Sequence, residues 1–250
     1  RQCAQFSLRQ SVTGLRPVET HYPFELVVID TRHLTLPSGR KEYFLVAVDS
    51  FTKWVEVRAV SSETGAAVAT FLREEVIKRH GCPERLLSDN GSPCVGQAMQ
   101  VECARWGIHH HTSAPYHPET NGLAERTIGT LKRIMERLAD GSGAKWREFL
   151  GLAAMAYRLM PHSTTGYSPF WMLYGQEATT STKVGQTSYI PNVSYEHAVE
   201  LHAQKMDALF CSARSKAQAA RDVQAAAQHA KLGTRASPPY RVGDLVWYDQ

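Results

Sequence analysis

Residues 24–60 read FELVVIDTRHLTLPSGRKEYFLVAVDSFTKWVEVRAV, and the way this stretch alternates decides the fold. Phe24 to Ile29 is nearly continuous apolar and β-prone sequence ending on Asp30, and Tyr43 to Val48 repeats the pattern and ends on Asp49. Pro37, Ser38 and Gly39 make a turn-rich break between the two. Trp54 to Val60 sets Val55, Val57 and Ala59 at alternate positions, and the short break from Asp49 to Lys53 makes it a third antiparallel strand. The expectation is a three-strand meander.

Outward from that meander, Ser61, Ser62 and Glu63 open a helix that runs to about Arg79. Val68, Phe71, Leu72 and Val76 lie on one stripe, and Gly81 and Pro83 are the stop signals. A helical crossover calls for a parallel strand, which Arg85 to Ser88 supplies before Asp89-Asn90-Gly91. A short helix from Gln97 to Trp106 and a strand from Ile108 to His111 complete βββαβαβ, an α/β fold. The segment APYHPET, 114–120, interrupts regular structure. Asn121-Gly122 then opens a helix to about Ala139, striped by Ala124, Ile128, Leu131, Met135 and Leu138. Another helix near Ala144 to Met160 carries Trp146, Leu150, Ala153 and Tyr157 on one face. Past Thr179 the composition becomes Thr- and Ser-rich. Ser194 to Leu232 then reads as a long Ala-rich helix capped by Gly233, with Val199, Met206, Leu209, Phe210 and Ala213 as its apolar positions.

With 43% hydrophobic and 21% charged residues in 250, the chain has globular rather than disordered composition. No apolar run approaches the roughly 18 to 20 residues of a membrane span. Arg1-Gln2-Cys3 lacks an initiator Met and a signal-peptide core, so the expectation is a piece of something larger. Five scattered cysteines without C-x-x-C fit reduced thiols in the cytosol or nucleus. The net charge of +4 permits polyanion binding without requiring it.

Strand direction decides which acids can meet. If the first strand runs up, the third and the one before Asp89 run up as well, so Asp30 and Asp89 share the edge where open α/β sheets place their chemistry. Asp49 ends a descending strand, roughly 20 Å from Asp30 at about 3.3 Å per residue, and reads as a turn residue before Ser50. Two strand-end aspartates alone are more often caps than ligands. Glu125 supplies a third acid near a helix start, at the margin of the apolar stripe. Clustered carboxylates need a cation, and hard oxygen ligands suit Mg2+ or Mn2+. Two such ions, roughly 3.5 to 4 Å apart, clamp both oxygens of an in-line phosphoryl displacement. That chemistry needs no Ser, Cys or Tyr nucleophile.

Ser88-Asp89-Asn90-Gly91, His117-Pro118-Glu119-Thr120-Asn121-Gly122 leading to Glu125-Arg126, Ser168-Pro169-Phe170, and Leu173-Tyr174-Gly175 carry a family resemblance, as do the 35 residues between Asp89 and Glu125. Residues 24–175 resemble the catalytic core of retroviral and Gypsy-type retrotransposon integrases. The resemblance implies a ribonuclease-H-like fold, with a mixed five-stranded sheet flanked by helices. It implies that Asp30, Asp89 and Glu125 bind two Mg2+ (or Mn2+) ions, trim DNA 3′ ends and join them to target DNA. Tyr116, Pro118 and Asn121 would position the DNA end and Lys132 would grip DNA, although Lys132 also reads as an ordinary solvated helix lysine. Expected partners are double-stranded DNA, from element ends and target, and further copies of the chain in a homo-oligomer; no membrane partner is expected. The expected location is nuclear with a cytoplasmic phase.

The resemblance also implies the tail of a degenerate or truncated zinc-binding domain and linker over 1–20, where Phe6 stands at the second cysteine position of the family's C-x-x-C. It implies a catalytic core over 21–178, a linker with the long helix over 179–236, and the truncated start of the family's SH3-like domain over 237–250, where 241–247 reads RVGDLVW. Among the remaining features, His109 to His111 reads as a polar strand end, since only His109 and His111 share a face. Trp54, Trp106, Trp146 and Trp171 read as core residues, and Arg126, Arg133 and Arg137 either line a DNA face or are solvated. Two functions stand against each other: an active integrase, and a domesticated retroelement-derived protein that binds nucleic acid or protein without catalysis. A ribonuclease-H-like hydrolase without strand transfer is a third reading, disfavoured by the 117–122 motif.

Overall fold

Alternation produces the meander: β1 (Leu26–Thr35), β2 (Lys41–Asp49) and β3 (Val55–Val60) pair antiparallel in sequence. The computed structural model describes residues 19–35, 39–89, 91, 94, 96–112, 122–138, 146–179 and 195–233. β1 continues five residues beyond Asp30, because β2 is long enough to pair with it from Asp49 opposite Val27 to Lys41 opposite Thr35. The expected strand end at Ile29 is therefore a different boundary: the place where the parallel neighbour of β1 stops.

That neighbour is β4 (Arg85–Ser88), which joins β1 in parallel from Leu26 with Arg85 to Ile29 with Ser88, and β5 (His109–Thr112) joins β4 in parallel. The sheet order is β3-β2-β1-β4-β5, the expected mixed five-stranded sheet. The crossover from β3 to β4 is α1, which begins as Gly65–Phe71, passes through a π-helical stretch at Leu72–Ile77 and closes with Lys78–His80. Its N-cap is Thr64, whose side chain accepts the Ala67 N–H, so the helix starts a few residues later than Ser61-Ser62 suggests. The crossover from β4 to β5 is α2 (Gln97–Trp106).

Side chains alternate across β1, and each face acquires its own helical layer. Val27 and Ile29 join Leu45, Val68, Phe71, Leu72 and Met99 under α1 and α2. On the other face, Leu26 and Val28 meet Ala124 of α3 (Gly122–Leu138), while Phe44, Val46 and Val48 meet Ile128, Leu131 and residues of α4 (Trp146–Leu159). The stripes read on α1 and α4, and residues 124, 128, 131 and 135 on α3, are buried as expected. Trp106 corrects the core reading: it is 40% exposed at the last turn of α2, and its Nε1 donates to Glu102 at 2.9 Å. Trp54 and Trp146 are buried and Trp171 is half-buried.

The Ser168-Pro169 motif starts α5 (Pro169–Tyr174): Ser168 Oγ accepts the Trp171 N–H, Pro169 occupies the first turn, and Gly175 closes the helix at φ 65°. The long helix α6 (Tyr195–Gly233) packs on this element. Leu209 and Ala213 are buried with Phe51 and Met172, whereas Val199 is 50% exposed and contributes nothing to the apolar contact. No described helix is long and apolar enough to cross a membrane. The 1–18 segment with its zinc-tail reading and the 234–250 segment with its SH3-like strand lie outside the described residues.

Candidate active site

Asp30 and Asp89 reach one edge through register. Ile29 pairs with Ser88, so the next residue on each parallel strand brings the two acids side by side where β4 ends. Asp30 has no exposed surface. Its Oδ1 accepts the Thr31 N–H at 2.8 Å, and its Oδ2 has no hydrogen-bond partner. Asp89 is half-buried and accepts the Gly91 N–H at 3.1 Å. A Cβ on Gly91 would stand 3.0 Å from Asp89 Oδ1, so glycine permits the chain to turn this closely over the carboxylate.

Glu125 arrives from the first turn of α3, the helix that covers the Asp30 face of the sheet. Arg32 Nη2 lies 2.9 Å from Asp30 Oδ2 and 3.6 Å from Glu125 Oε1, so one guanidinium spans the strand acid and the helix acid. The 2.9 Å approach lacks hydrogen-bonding alignment, which leaves Oδ2 charged but not bonded. Burial raises the Asp30 pKa to about 6; Arg32 pulls it down, Asp89 pushes it up, the Thr31 N–H lowers it and Glu125 raises it. The Cys94 thiol is pushed up as well, by burial first, then by the charge and hydrogen bond of Asp89, then by Asp30 and Glu63. A thiol held protonated in this way is a poor nucleophile.

Glu63 and Arg32 are the residues that sequence reasoning missed. Thr31 Oγ1 donates to Glu63, which immediately precedes the N-cap of α1, so a fourth carboxylate is bonded to the residue next to Asp30 in the chain. Arg32 carried a signal, since its i+2 position gives it the same strand face as Asp30. Glu63 carried none, since only the packed crossover brings it to Thr31.

Among the described residues, no three His, Cys, Asp or Glu side chains stand in ligating geometry. The donor set nonetheless fits a hard divalent cation: carboxylate oxygens only, one of them fully buried and without a donor. Lys132 is half-buried on α3, seven residues from Glu125 and thus near the same helical face two turns on. Tyr116, Pro118 and Asn121 lie outside the described residues.

Asp49 is a turn residue, as expected, but much nearer than 20 Å. Its pairing with Val27 puts it three residues from Asp30, about 10 Å at 3.3 Å per residue. The difference arises because Asp30 lies mid-strand. Asp49 accepts from Phe24 N, Phe51 N, Thr52 N and Thr52 Oγ1, which hold it as a turn residue. His109 and His111 are exposed on edge strand β5, and His110 Nε2 meets Ser88 Oγ at 2.9 Å.

Residues 20–118 match the family described as the integrase core domain. The Gag-Pol polyprotein of avian reticuloendotheliosis virus is 32% identical over 163 residues, which cover 65% of this chain and 14% of that polyprotein. A chain of the simian T-cell lymphotropic virus intasome has the same fold, with a TM-score of 0.58 at 21% identity over 74% of this chain and 65% of that one. The HTLV-2 integrase catalytic core domain, in complex with magnesium, matches with a TM-score of 0.50 at 25% identity over 60% of this chain and 95% of that one. This chain spans between 8% and 14% of the length of the curated relatives it matches. Strand order and these likenesses support an integrase catalytic core of the retroviral and retrotransposon type in this chain, on a ribonuclease-H-like fold.

Proposed function

We propose that the chain cuts and joins DNA by metal-assisted phosphodiester transesterification at Asp30, Asp89 and Glu125. The observation that carries this reading is Asp30 Oδ2, a fully buried carboxylate oxygen without a hydrogen-bond donor, beside two further acids at the end of β4. Arg32 offsets the charge of this oxygen at 2.9 Å without hydrogen-bonding it, and a divalent cation would ligate it directly. Two Mg2+ or Mn2+ ions bound there would supply Lewis-acid stabilisation to the attacking and leaving oxygens of an in-line displacement.

The chain's own residues do the positioning. Asp30 is immobilised mid-strand and by the Thr31 N–H, and Asp89 is braced by the Gly91 N–H. Glu125 is exposed on the first helical turn, where it can close over the other two. The same geometry serves water in trimming a 3′ end and a 3′-hydroxyl in strand transfer, so no covalent enzyme intermediate is needed. Lys132, about 10 Å beyond Glu125 along α3 at 1.5 Å per residue, is placed for a backbone phosphate. Tyr116, Pro118 and Asn121 would position the DNA end. Joining two ends of double-stranded DNA needs two active sites held together, which points to a homo-oligomer acting on nuclear DNA.

The test is incubation of the protein with labelled duplex DNA ends in Mn2+. Trimmed and joined products are expected, and chelation by EDTA stops them. Asp89→Asn lowers the rate by more than about a hundredfold, since a lost ligand removes several kcal/mol of charge stabilisation. Activity that survives Asp89→Asn refutes the mechanism. A wild-type protein that binds DNA without cutting it would instead favour the non-catalytic, domesticated reading.

A further inference from the structure

Arg32 stands two residues along β1 from Asp30, so both side chains leave the sheet on the face that α3 covers. Its guanidinium lies between Asp30 and Glu125, at 2.9 and 3.6 Å from their oxygens. Asp30 is enclosed, while the Arg32 side chain is 34% exposed. Arg32 therefore reaches inward from the rim and has solvent behind it. Its contact supplies charge without a hydrogen bond to Oδ2. A magnesium ion requires a carboxylate oxygen at about 2.0 to 2.1 Å. A second cation at hydrogen-bonding distance from the same oxygen would repel it.

We propose that Arg32 is the built-in counter-ion of the metal-free site: it holds Asp30 and Glu125 together without metal and swings outward when a divalent cation takes Asp30 Oδ2. The proposal rests on the reading of Asp30, Asp89 and Glu125 as metal ligands. Its consequence is a linkage. A contact that stabilises only the metal-free state opposes metal binding by the same amount. Arg32 thus tunes metal affinity downward while keeping three clustered acids compatible with a folded apoprotein.

The experiment uses the full chain as wild type, Arg32→Gln, Arg32→Lys and Asp89→Asn. Each is melted in EDTA and titrated with Mn2+ at pH 8, with free Mn2+ followed by electron paramagnetic resonance. Arg32→Gln should melt a few degrees below wild type in EDTA and bind Mn2+ roughly fivefold more tightly, the value of losing a partly exposed ion pair of about 1 kcal/mol. Arg32→Lys keeps the charge and should fall between the two. Unchanged or weaker Mn2+ binding by Arg32→Gln, with binding still lost in Asp89→Asn, overturns the counter-ion role alone. Mn2+ binding that Asp89→Asn leaves intact overturns the metal-site reading, and the counter-ion role with it.

Discussion

Asp30 is a residue whose ionisation opposes folding. Its folded pKa of about 6 lies above the ordinary value of 3.8, so the folded chain binds the proton more tightly than the unfolded one. The penalty of the charged form is therefore fully present above pH 6 and disappears as pH falls through 6 toward 4. In EDTA at pH 8, Asp30→Asn should raise unfolding stability by about 1 to 3 kcal/mol, and the difference should close near pH 4. Urea denaturation at the two pH values checks this, and a destabilised Asp30→Asn at pH 8 would contradict it. The acid was legible as a candidate because strand direction and the interval from Asp89 to Glu125 are written in sequence order. Its burial was not, because enclosure depends on α3 and β2 closing around it. The same holds for Glu63, which meets Thr31 only across the packed crossover.

At the scale of elements, Glu56 ties β3 to α1 and α4. It accepts from Trp54 Nε1 at 2.9 Å and pairs with His80 at 2.9 Å, Arg158 at 2.7 Å and Arg79 at 3.3 Å. Burial pushes its pKa up, but the His80 bond and the Arg158 charge outweigh that and leave it lowered. Glu56→Ala leaves half-buried Arg158 without its carboxylate and should cost about 1.5 to 3 kcal/mol, with Glu56→Gln costing less, as read from denaturant midpoints. An effect below 1 kcal/mol would show that the cations find water instead. The helices and strands were largely readable from period and turn chemistry. β1 lengthened for a tertiary reason, because β2 was there to pair with it, whereas α5 was hidden in six residues too short for periodicity. The Ser168, Pro169 and Gly175 pattern was its available local signal.

For the molecule as a whole, α6 is a docked element. Leu209 and Ala213 are buried against Phe51 and Met172, Tyr167 Oη meets Ser212 Oγ at 3.0 Å, and Gly175 leaves room for Met206 that a side chain would fill. Leu209→Ala should lower stability by about 2 to 3 kcal/mol, whereas Leu201→Ala, at a 45% exposed position on the same helix, should change it by less than about 0.5. Equal effects at the two positions would mean that α6 does not pack on the core in solution. Sequence by itself determined the α/β class, the three-strand meander, the acids that could share an edge and the turn role of Asp49, though not its distance from Asp30. Those follow from alternation, chain direction and spacing, which are local or additive along the chain. Only the tertiary structure decided that Asp30 is enclosed, that Glu63 reaches Thr31 and that the long helix packs on Phe51 and Met172. These depend on register between strands and on contacts between residues distant in sequence, which no local pattern encodes.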